Sequence, residues 1–398
     1  MRLLICAGGT GGGVYPALAV LQALDAIGEG EDGVAIPARH LVRRPCALWV
    51  GGQGGMEVDL VTRANIDFTA IPAAGLHGVG WRTFPGNCLR LVQGLIASRR
   101  LLNEHKPDVL LFTGGYIAAP MAWAARLPGL KFRPPRSLLF VPDLQPGWAI
   151  KTVARFADRI AVVVEASRDH FVHKDRVVVT GYPVRPVLRP WYIGTRSKAE
   201  ARKELGLSPD LPLLLVLGGS RGARSINRAL LAGLPDLLAD LQILHITGAL
   251  DWQEVASERE RYFSLLPAER CARYHVHTYL HDEMGAALAA ADLVVSRAGA
   301  STLGEYPQFG LPAILVPYPH SWRYQEVNAE YLAQRRAALV IPNAELRDRL
   351  LPVVRELVRD RQRLAEMSLA MRSIAQPHAA ETIARELLDL ARAPGGAR

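Results

Sequence analysis

The chain has 398 residues, of which 49% are apolar and 21% are charged, a length and composition that suit two globular domains. Its net charge of +9 favours an anionic partner: a nucleic acid, a phosphorylated substrate or an acidic membrane surface. The four cysteines have no C-x-x-C spacing, which disfavours a zinc site or a disulfide framework, and no run of ~18 apolar residues predicts a membrane span.

In the first half, short apolar runs that predict buried strands alternate with helical stretches. These runs lie at 2–7, 47–52, 108–116, 137–143 and 159–164. A helix is predicted over 16–27, with Pro16 in its first turn, where the missing N–H is not needed. Between 182 and 212 the sequence has five prolines and no long apolar run, which predicts the connection between two domains.

The alternation restarts after this connection. Residues 211–231 predict a strand, a glycine turn and a helix, and 378–393 predict a last amphipathic helix after Pro377. Further strands are predicted within 241–248, 273–280, 292–305 and 311–319. Strand–helix alternation in both halves predicts an α/β protein with two doubly wound domains.

Glycine-rich segments recur where predicted strands end. They are GGTGGG (8–13), TGGY (113–116), GGSRGA (218–223) and RAGAST (297–302). Such segments let backbone N–H groups approach a phosphate, and a following helix adds partial positive charge. The alternative is a set of tight turns required only by sheet packing. Because the pattern occurs in both halves, phosphate binding is the favoured interpretation. No Walker motif or strict G-x-G-x-x-G frame occurs, and Glu57 is only a weak candidate for a ribose contact.

Six motifs follow one another in an order that matches a known family. They are GGTGGGVYPALAV, TGGYIAAP, GYPVRPVL, LGGSRGARSIN, RAGASTLGE and GLPAILVPYPHSWRYQEVNA. Over nearly the whole chain they resemble the MurG family of N-acetylglucosaminyltransferases. The resemblance implies a GT-B fold with two Rossmann-like domains facing a cleft. It implies an N-terminal acceptor and membrane-facing domain (1–184), a C-terminal UDP-GlcNAc domain (185–375) and a helix (376–398) that returns to the N-terminal domain.

The resemblance also implies an activity and a place in the cell. GlcNAc would pass from UDP-GlcNAc to the muramyl 4-hydroxyl of lipid I, with inversion, giving lipid II for peptidoglycan. The enzyme would need no obligatory metal or other cofactor, and it would act as a peripheral protein at the cytoplasmic face of the cell membrane. Nucleic acid is not an expected partner, because the arginines are dispersed and aromatic residues make up only 7% of the chain.

The resemblance assigns the donor to residues of the second half and of the domain junction. Glu305 would accept hydrogen bonds from both ribose hydroxyls and is also a candidate catalytic residue, whereas a plain first-turn helix charge is the alternative. Gln325 and Asn328 would bind sugar hydroxyls; for Gln325 the alternative is a solvated face. The remaining candidates, around the nucleotide and its diphosphate, are Arg185, Gly219, Ser220, Leu280, Ala300, Ser301, Thr302 and Leu303.

The first half would bind the acceptor lipid. Its diphosphate would contact the first two glycine segments, at Thr10, Gly11, Gly12, Gly13, Gly114, Gly115 and Tyr116. The stretch 75–102 places apolar side chains beside arginines, which suits docking onto an anionic membrane surface. An ordinary amphipathic helix with a covered apolar stripe is the alternative.

Two departures from the family pattern leave the catalytic base open. The family has a histidine where this chain has Gly13, and its His-Glu-Gln-Asn stretch is replaced here by residues 141–144, Val-Pro-Asp-Leu. Asp143, at the end of a predicted strand, is the candidate base, and a turn or helix-cap role is its alternative. His77 is a weaker candidate. The sequence VPDLQPGW also resembles plant-type monogalactosyldiacylglycerol synthases, so a glycosyltransferase acting on diacylglycerol is the second hypothesis.

Overall fold

A computed structural model describes residues 1–8, 11–29, 46–52, 57–73, 84–114, 116–219, 222–321 and 323–393. The chain forms two compact units. Unit 1 comprises Met1–Arg185 and His378–Arg398, and unit 2 comprises Pro186–Pro377. The two crossings thus lie one and two residues from the predicted boundaries after residues 184 and 375.

Unit 1 contains a seven-stranded parallel sheet. Its strands are β1 (Arg2–Cys6), β2 (Cys46–Gly52), β3 (Asp67–Ile71), β4 (Val109–Phe112), β5 (Arg136–Val141), β6 (Arg159–Val162) and β7 (Val177–Val179). They lie in the order β3-β2-β1-β4-β5-β6-β7, so the direction of winding reverses between β1 and β4. All four residues of β4 are buried, as expected of a strand covered by helices on both faces.

Helices cover this sheet. They are α1 (Gly11–Glu29), α2 (Glu57–Arg63), α3 (Phe84–His105), α4 (Ala118–Arg126) and α5 (Trp148–Ala154). Helix α1 begins five residues earlier than the sequence predicts, so Pro16 lies inside it. Pro16 has no N–H to donate to the carbonyl of Gly12, four residues before it. The hydroxyl of Tyr182 donates to that carbonyl at 3.3 Å and supplies the missing hydrogen bond.

Unit 2 contains a six-stranded parallel sheet. Its strands are β8 (Leu213–Leu217), β9 (Gln242–Ile246), β10 (Tyr274–His277), β11 (Leu293–Ser296), β12 (Ala313–Leu315) and β13 (Ala338–Val340). The order is β10-β9-β8-β11-β12-β13, so winding reverses between β8 and β11. The prediction of two doubly wound α/β domains is therefore confirmed.

The helices of unit 2 begin directly after the crossing from unit 1. They are α6 (Arg189–Tyr192), α7 (Lys198–Glu204), α8 (Arg224–Ala232), α9 (Leu234–Asp240), α10 (Trp252–Phe263), α11 (Ala268–Cys271), α12 (Met284–Ala290), α13 (Glu305–Phe309), α14 (Tyr324–Gln334), α15 (Leu346–Arg359) and α16 (Arg361–Arg372).

The chain passes from unit 1 to unit 2 between Arg185 and Pro186, within the proline-rich stretch 182–212 where the sequence predicts the connection. The rest of this stretch belongs to unit 2 and includes the short helices α6 and α7. Trp191 of α6 is buried against α12, so closely that a Cβ on Gly285 would lie 2.4 Å from its ring. A capping box between Ser197 and Glu200 fixes the start of α7. Two prolines of this stretch, Pro186 and Pro190, lie at the starts of short helical segments, where the missing N–H is not needed.

The last helix, α17 (Ala379–Arg392), belongs to unit 1. It packs on α1 and on the central strands β4 and β5. Ile383 and Leu387 are fully buried, and Arg159 forms an ion pair with Glu386 at 3.3 Å. The predicted return of the C-terminal helix to the first domain is confirmed.

The three strands that the sequence did not predict are all edge strands. β3 and β7 are the two edges of the first sheet, and β13 is an edge of the second. β7 and β13 have three residues each, and β3 carries polar Asp67 and Thr69. Edge strands pair on one side only, so a short or partly polar run is sufficient to form them.

Candidate active site

Both sheets place glycine-rich segments on either side of the point where winding reverses. In unit 1, β1 and β4 end side by side, with Cys6 opposite Phe112. In unit 2, β8 and β11 do the same, with Leu217 opposite Ser296. The four glycine segments of the sequence follow these four strands. They therefore form two pairs, each at the position where open α/β sheets bind ligands.

The pair in unit 1 is held together by a hydroxyl. Thr113, directly after β4, donates its Oγ1 proton to the carbonyl of Gly13 in α1 at 2.7 Å. Gly114 has a φ of +110°, which a side chain would strain. Gly11, Gly12 and Gly13 form the first turn of α1 rather than an open loop. Their N–H groups point away from the helix without intrahelical partners and can meet an anion.

Other predicted acceptor contacts are only partly described. The Tyr116 side chain is 53% exposed, close to the end of β4, and is accessible to a ligand. Thr10 and Gly115 lie outside the described residues, as does His77.

The backbone around Gly13 leaves too little room for a histidine side chain in the present turn. A Cβ on Gly13 would lie 3.0 Å from the carbonyl oxygen of Thr113 and 3.4 Å from its hydroxyl. A histidine here would therefore push the segment after β4 away from α1.

Glu57 has a structural role instead of a ribose contact. Its side chain is 1% exposed, and its Oε1 accepts a hydrogen bond from the N–H of Gly52 at 2.9 Å. A Cβ on Gly8 would lie 2.4 Å from the same oxygen. Gly8 is thus a glycine because the buried carboxylate supports the end of β2.

Asp143 lies at the same edge of the sheet as the glycine segments. It follows β5, the neighbour of β4, and is half-buried. Val141, Pro142 and Leu144 around it are buried. Asp143 is therefore the member of this family-departing stretch that can present a polar group at the surface of unit 1. Trp148, at the start of α5, is 71% exposed.

The first segment of unit 2 contains glycines with different functions. A Cβ on Gly218 would lie 2.2 Å from the nitrogen of Ala223, and one on Gly222 would lie 2.2 Å from the carbonyl oxygen of Thr247. Tight packing explains these two. Gly219 has a φ of +83°, and no atom of the described residues lies within 4 Å of an added Cβ, which leaves space beside it in the described part of the chain. Ser220 lies outside the described residues.

The second segment of unit 2 favours the ligand interpretation. Gly299 has an ordinary φ of −68°, and a Cβ there would meet no atom of the residues that the structure describes within 4 Å. Neither strain nor packing requires a glycine at this position. Its openness leaves room above the helical turn Ala300–Leu303, whose first N–H groups, including that of Ser301, have no partner within the turn.

Side chains in this turn point inward. The Thr302 hydroxyl donates to the carbonyl of Gly299 at 2.7 Å, so its proton is used within the turn. Leu303 is 3% exposed, and Leu280, after β10, is 4% exposed. Contacts from these residues to a ligand would come mainly from the backbone.

The three polar donor candidates have different environments. Glu305 is half-buried at the first residue of α13. Gln325 is half-buried, and its Oε1 accepts from the N–H of Tyr318 at 2.9 Å. Asn328 is fully buried and donates to the carbonyl of Ala298 at 3.2 Å. Asn328 therefore supports the segment after β11 through this hydrogen bond, and its predicted contact with sugar hydroxyls stays a prediction.

Arg185 is the last residue of unit 1, whereas the other donor candidates belong to unit 2. Its guanidinium carbon lies 4.8 Å from the ring centroid of Tyr15 in α1, within cation–π range. The side chain is thus held beside the glycine turn of unit 1.

Sequence reasoning missed a buried network under α8. His245 is fully buried, with Nδ1 at 2.8 Å from the Tyr274 hydroxyl and Nε2 at 2.9 Å from Oδ1 of Asn227. The Asn227 amide nitrogen donates to Asp251 and to the carbonyl of Thr247. Oδ1 must then accept, so Nε2 of His245 carries the proton and Tyr274 donates to Nδ1. Burial lowers the pKa of His245 to about 3, so the ring is neutral at pH 7.

Arg297 was also missed, because the motif RAGAST drew attention to its glycine. Its guanidinium donates to Oδ1 of Asn343 and to the Ser225 hydroxyl, both at 2.8 Å. It also donates to the carbonyls of Val316 and Pro317, at 3.1 and 3.4 Å. Burial lowers the pKa of Arg297 from its ordinary value. Four neutral acceptors surround the half-buried guanidinium of Arg297, and this arrangement can be recognised only in the structure.

Within the described residues, no group of three or more His, Cys, Asp or Glu side chains has the arrangement of a metal site.

Comparisons with known proteins agree with this arrangement. Residues 3–162 match the glycosyltransferase family 28 N-terminal domain, and residues 213–384 match the family 28 C-terminal domain. A protein of Roseiflexus sp. (strain RS-1) is 38% identical, over 96% of this chain and 94% of its own length. One from Desulforudis audaxviator is 37% identical, over 96% of each. Both are named UDP-N-acetylglucosamine--N-acetylmuramyl-(pentapeptide) pyrophosphoryl-undecaprenol N-acetylglucosamine transferase.

The chain belongs to the MurG family of glycosyltransferase family 28.

Solved structures show the same fold as this MurG-family chain. Acinetobacter baumannii MurG superposes with a TM-score of 0.69 at 24% identity, over 98% of this chain and 99% of that one. A UDP-GlcNAc 2-epimerase from Neisseria meningitidis, bound to UDP-GlcNAc, superposes with a TM-score of 0.66 at 13% identity, over 98% and 100%. The GT-B fold expected from the motifs is therefore confirmed, and the glycine pairs of this MurG-family chain lie on a glycosyltransferase scaffold.

Proposed function

We propose that the protein transfers GlcNAc from UDP-GlcNAc to the muramyl 4-hydroxyl of lipid I, with inversion, to give lipid II. The observation that carries this proposal is the presence of one glycine-lined reversal point in each unit. The reaction joins two substrates that each contain a diphosphate, and each unit offers one site suited to such a group. The names of relatives at 37–38% identity support the same activity.

The donor is assigned to unit 2. The open space at Gly219 and Gly299 accommodates the diphosphate, and the N–H groups that open the turn at Ala300 and Ser301 face it. Glu305, five residues after Ala300, is placed to accept hydrogen bonds from the ribose hydroxyls. As UDP departs, these fixed N–H groups stabilise the negative charge that develops on it. We therefore expect that no metal is obligatory.

The acceptor is assigned to unit 1. Its diphosphate would lie at the first turn of α1, and the sugar hydroxyl would approach Asp143 at the same sheet edge. The hydroxyl oxygen attacks the anomeric carbon, the bond from that carbon to the UDP oxygen breaks, and the hydroxyl proton passes to Asp143. Attack from the side opposite to UDP gives inversion.

Helix α3 supports the proposed docking onto an anionic membrane surface at its cytoplasmic face. Leu89, Val92 and Ile96 are 60%, 53% and 52% exposed, and their spacing puts them on one side of the helix. Arg90 and Arg100 are exposed on the same helix. An apolar stripe that stays exposed next to arginines suits a lipid interface better than a covered stripe does. The predicted residues 75–83 of this stretch lie outside the described residues.

Among the described residues no helix has both the length and the apolar character needed to cross a bilayer. Peripheral attachment through α3 is consistent with this finding.

The deciding experiment is a transfer assay with purified protein. Labelled UDP-GlcNAc is offered with vesicles that contain lipid I, and in parallel labelled UDP-Gal or UDP-Glc is offered with diacylglycerol. We expect label in lipid II, also in the presence of EDTA. Label only in a diacylglycerol product would contradict the proposal and would favour the related glycolipid activity suggested by VPDLQPGW.

A further inference from the structure

Arg297 bridges the two segments that flank the reversal point of unit 2. It follows β11 by one residue, while its Nη2 donates to the hydroxyl of Ser225 in the first turn of α8, which follows β8. Ser225 in turn donates to Oδ1 of Asn343 at 2.7 Å, and the same oxygen accepts from Nη1 of Arg297. The guanidinium therefore fixes the start of α8 against the end of β11.

Two other arginines, both in α8, are paired with carboxylates, and Arg297 differs from them in this respect. Arg224 pairs with Asp251 at 2.9 Å, and Arg228 pairs with Glu254 at 2.6 Å. Over the described part of the chain, the partners of Arg297 are carbonyls, a hydroxyl, an amide oxygen and, at 5.4 Å, the Tyr318 ring. Both terminal nitrogens of its guanidinium donate hydrogen bonds, whereas no carboxylate of the described residues pairs with its charge.

A half-buried cation without a counter-charge is unfavourable, and it lies at the N-terminus of α8, where the helix dipole also disfavours positive charge. An anion bound at the adjacent glycine segments relieves both effects. The lowered pKa of Arg297 agrees with a charge that burial destabilises in the free protein.

We propose that Arg297 is a positioning residue for the donor: it holds the two glycine segments of unit 2 in register, and its unbalanced charge makes the site prefer the diphosphate part of the nucleotide. This inference rests on the proposed assignment of the donor to unit 2. Arg297 acts through Ser225 and the backbone rather than as a catalytic residue.

The test compares UDP with uridine, which has the same base and ribose and no phosphate. Calorimetry on the full chain gives the affinity of each ligand for the unaltered protein and for Arg297→Gln. We expect UDP affinity to fall about tenfold or more, as for a lost charged interaction, and uridine affinity to fall by less than about threefold. A role in stability alone would lower the affinities for both ligands equally and would overturn the proposal.

Two further variants separate charge from position. Arg297→Lys keeps the charge but cannot reach all of the acceptors, so UDP affinity should fall less than in Arg297→Gln. If Arg297→Gln does not fold, an unchanged UDP affinity in Arg297→Lys overturns the bridging role. Arg228→Gln is the matched control. Arg228 lies about one turn after Ser225 in α8, and its charge is already paired with Glu254. An equal loss of UDP affinity in Arg228→Gln would also overturn the proposal, since any nearby charge would then suffice.

UDP binding and lipid II synthesis by the unaltered protein test the assignment of the donor to unit 2 separately from the role of Arg297. An unaltered protein that binds UDP and makes lipid II, with no selective loss in Arg297→Gln, contradicts only the role of Arg297. A failure to bind UDP at all contradicts the donor assignment and this inference together.

Discussion

The two reversal points have the same topology but are held together by different chemistry. In unit 1 the hydroxyls of Tyr182 and Thr113 donate to backbone carbonyls in the first turn of α1. In unit 2 the guanidinium of Arg297 reaches side-chain and backbone acceptors from several loops. The described contacts that join the segments of unit 1 are thus made by hydroxyls in a tightly packed turn, whereas those of unit 2 are made by a cation beside open space. This contrast would suit the proposed acceptor, which a membrane would also hold, and the proposed donor, which its phosphates would hold in large part.

The largest test of this contrast removes the proposed base from unit 1. We expect Asp143→Asn to lower kcat by about 10²–10⁴-fold, because the hydroxyl proton loses its acceptor. UDP affinity should not change, since the donor is proposed to bind unit 2. Steady-state transfer kinetics and UDP calorimetry measure the two quantities. Asp169→Asn, an exposed aspartate of unit 1 that pairs with Lys174, is the control and should retain full activity. Full activity in Asp143→Asn would assign the base elsewhere.

A second test separates packing glycines from ligand glycines within unit 2. Gly222→Ala should lower the free energy of unfolding by about 2–4 kcal/mol, because a Cβ there meets the Thr247 carbonyl and φ is +82°. Gly299→Ala should leave stability nearly unchanged and weaken UDP binding. Urea unfolding and calorimetry on both variants give the comparison. If Gly299→Ala binds UDP normally, the open space at Gly299 is not ligand space.

A third test concerns the ribose contact. Glu305→Ala should weaken UDP binding by about 1–3 kcal/mol, the value of a charged hydrogen bond. Glu366→Ala, which removes an exposed carboxylate of α16 in the same unit, is the matched control. Equal UDP affinities in the two variants would reduce Glu305 to a first-turn helix charge.

The neutral His245 predicts a dependence of stability on pH. Its pKa is about 3 in the folded protein and ordinary, near 6.5, in the unfolded chain. The unfolded chain therefore binds more protons between these values, so stability is full above pH 6.5 and falls as the pH decreases. From pH 7 to 5 this residue should account for a loss of about 2 kcal/mol.

Urea unfolding at both pH values measures this loss. His245→Gln should remove most of the difference, while His320→Gln, at an exposed position of unit 2, should leave it in place. The same pH dependence in all three proteins would show that other groups cause it.

The smallest expected effect is at the proline of α1. Tyr182→Phe should lower the free energy of unfolding by about 1 kcal/mol, because the carbonyl of Gly12 loses its donor. In the background of Pro16→Ala, the alanine N–H can replace that donor, so the same change should have almost no effect. A double-mutant cycle by urea unfolding measures the difference. An equal loss in both backgrounds would contradict the compensation.

The sequence predicts the central strands because they are continuous apolar runs, buried on both faces, as in β4. It misses β3, β7 and β13 because an edge strand needs few apolar residues. The sequence also misplaces the start of α1. Pro16 fits inside this helix because Tyr182, 166 positions later in the chain, supplies the hydrogen bond that the proline cannot make. Local patterns carry no information about such partners.

Some features of the candidate site can likewise be predicted from the sequence, and others cannot. Glycine segments at strand ends indicate the two crevices, and the motif resemblance indicates Glu305 and Gln325. Burial cannot be read from the motifs, so the hydrogen bond through which the buried Asn328 supports the segment after β11 was not predicted. Arg297 and His245 were missed because their roles depend on contacts with residues of other elements, which local sequence patterns do not indicate.

The position of α17 has a consequence for synthesis on the ribosome. Unit 2 consists of one continuous stretch, Pro186–Pro377, whereas the core of unit 1 includes a helix that follows it. Translation therefore completes unit 2 before α17 can cover α1. During that interval the apolar face of α1 lacks its final cover, so a nascent chain stalled before residue 378 is the stage at which chaperone binding should be strongest.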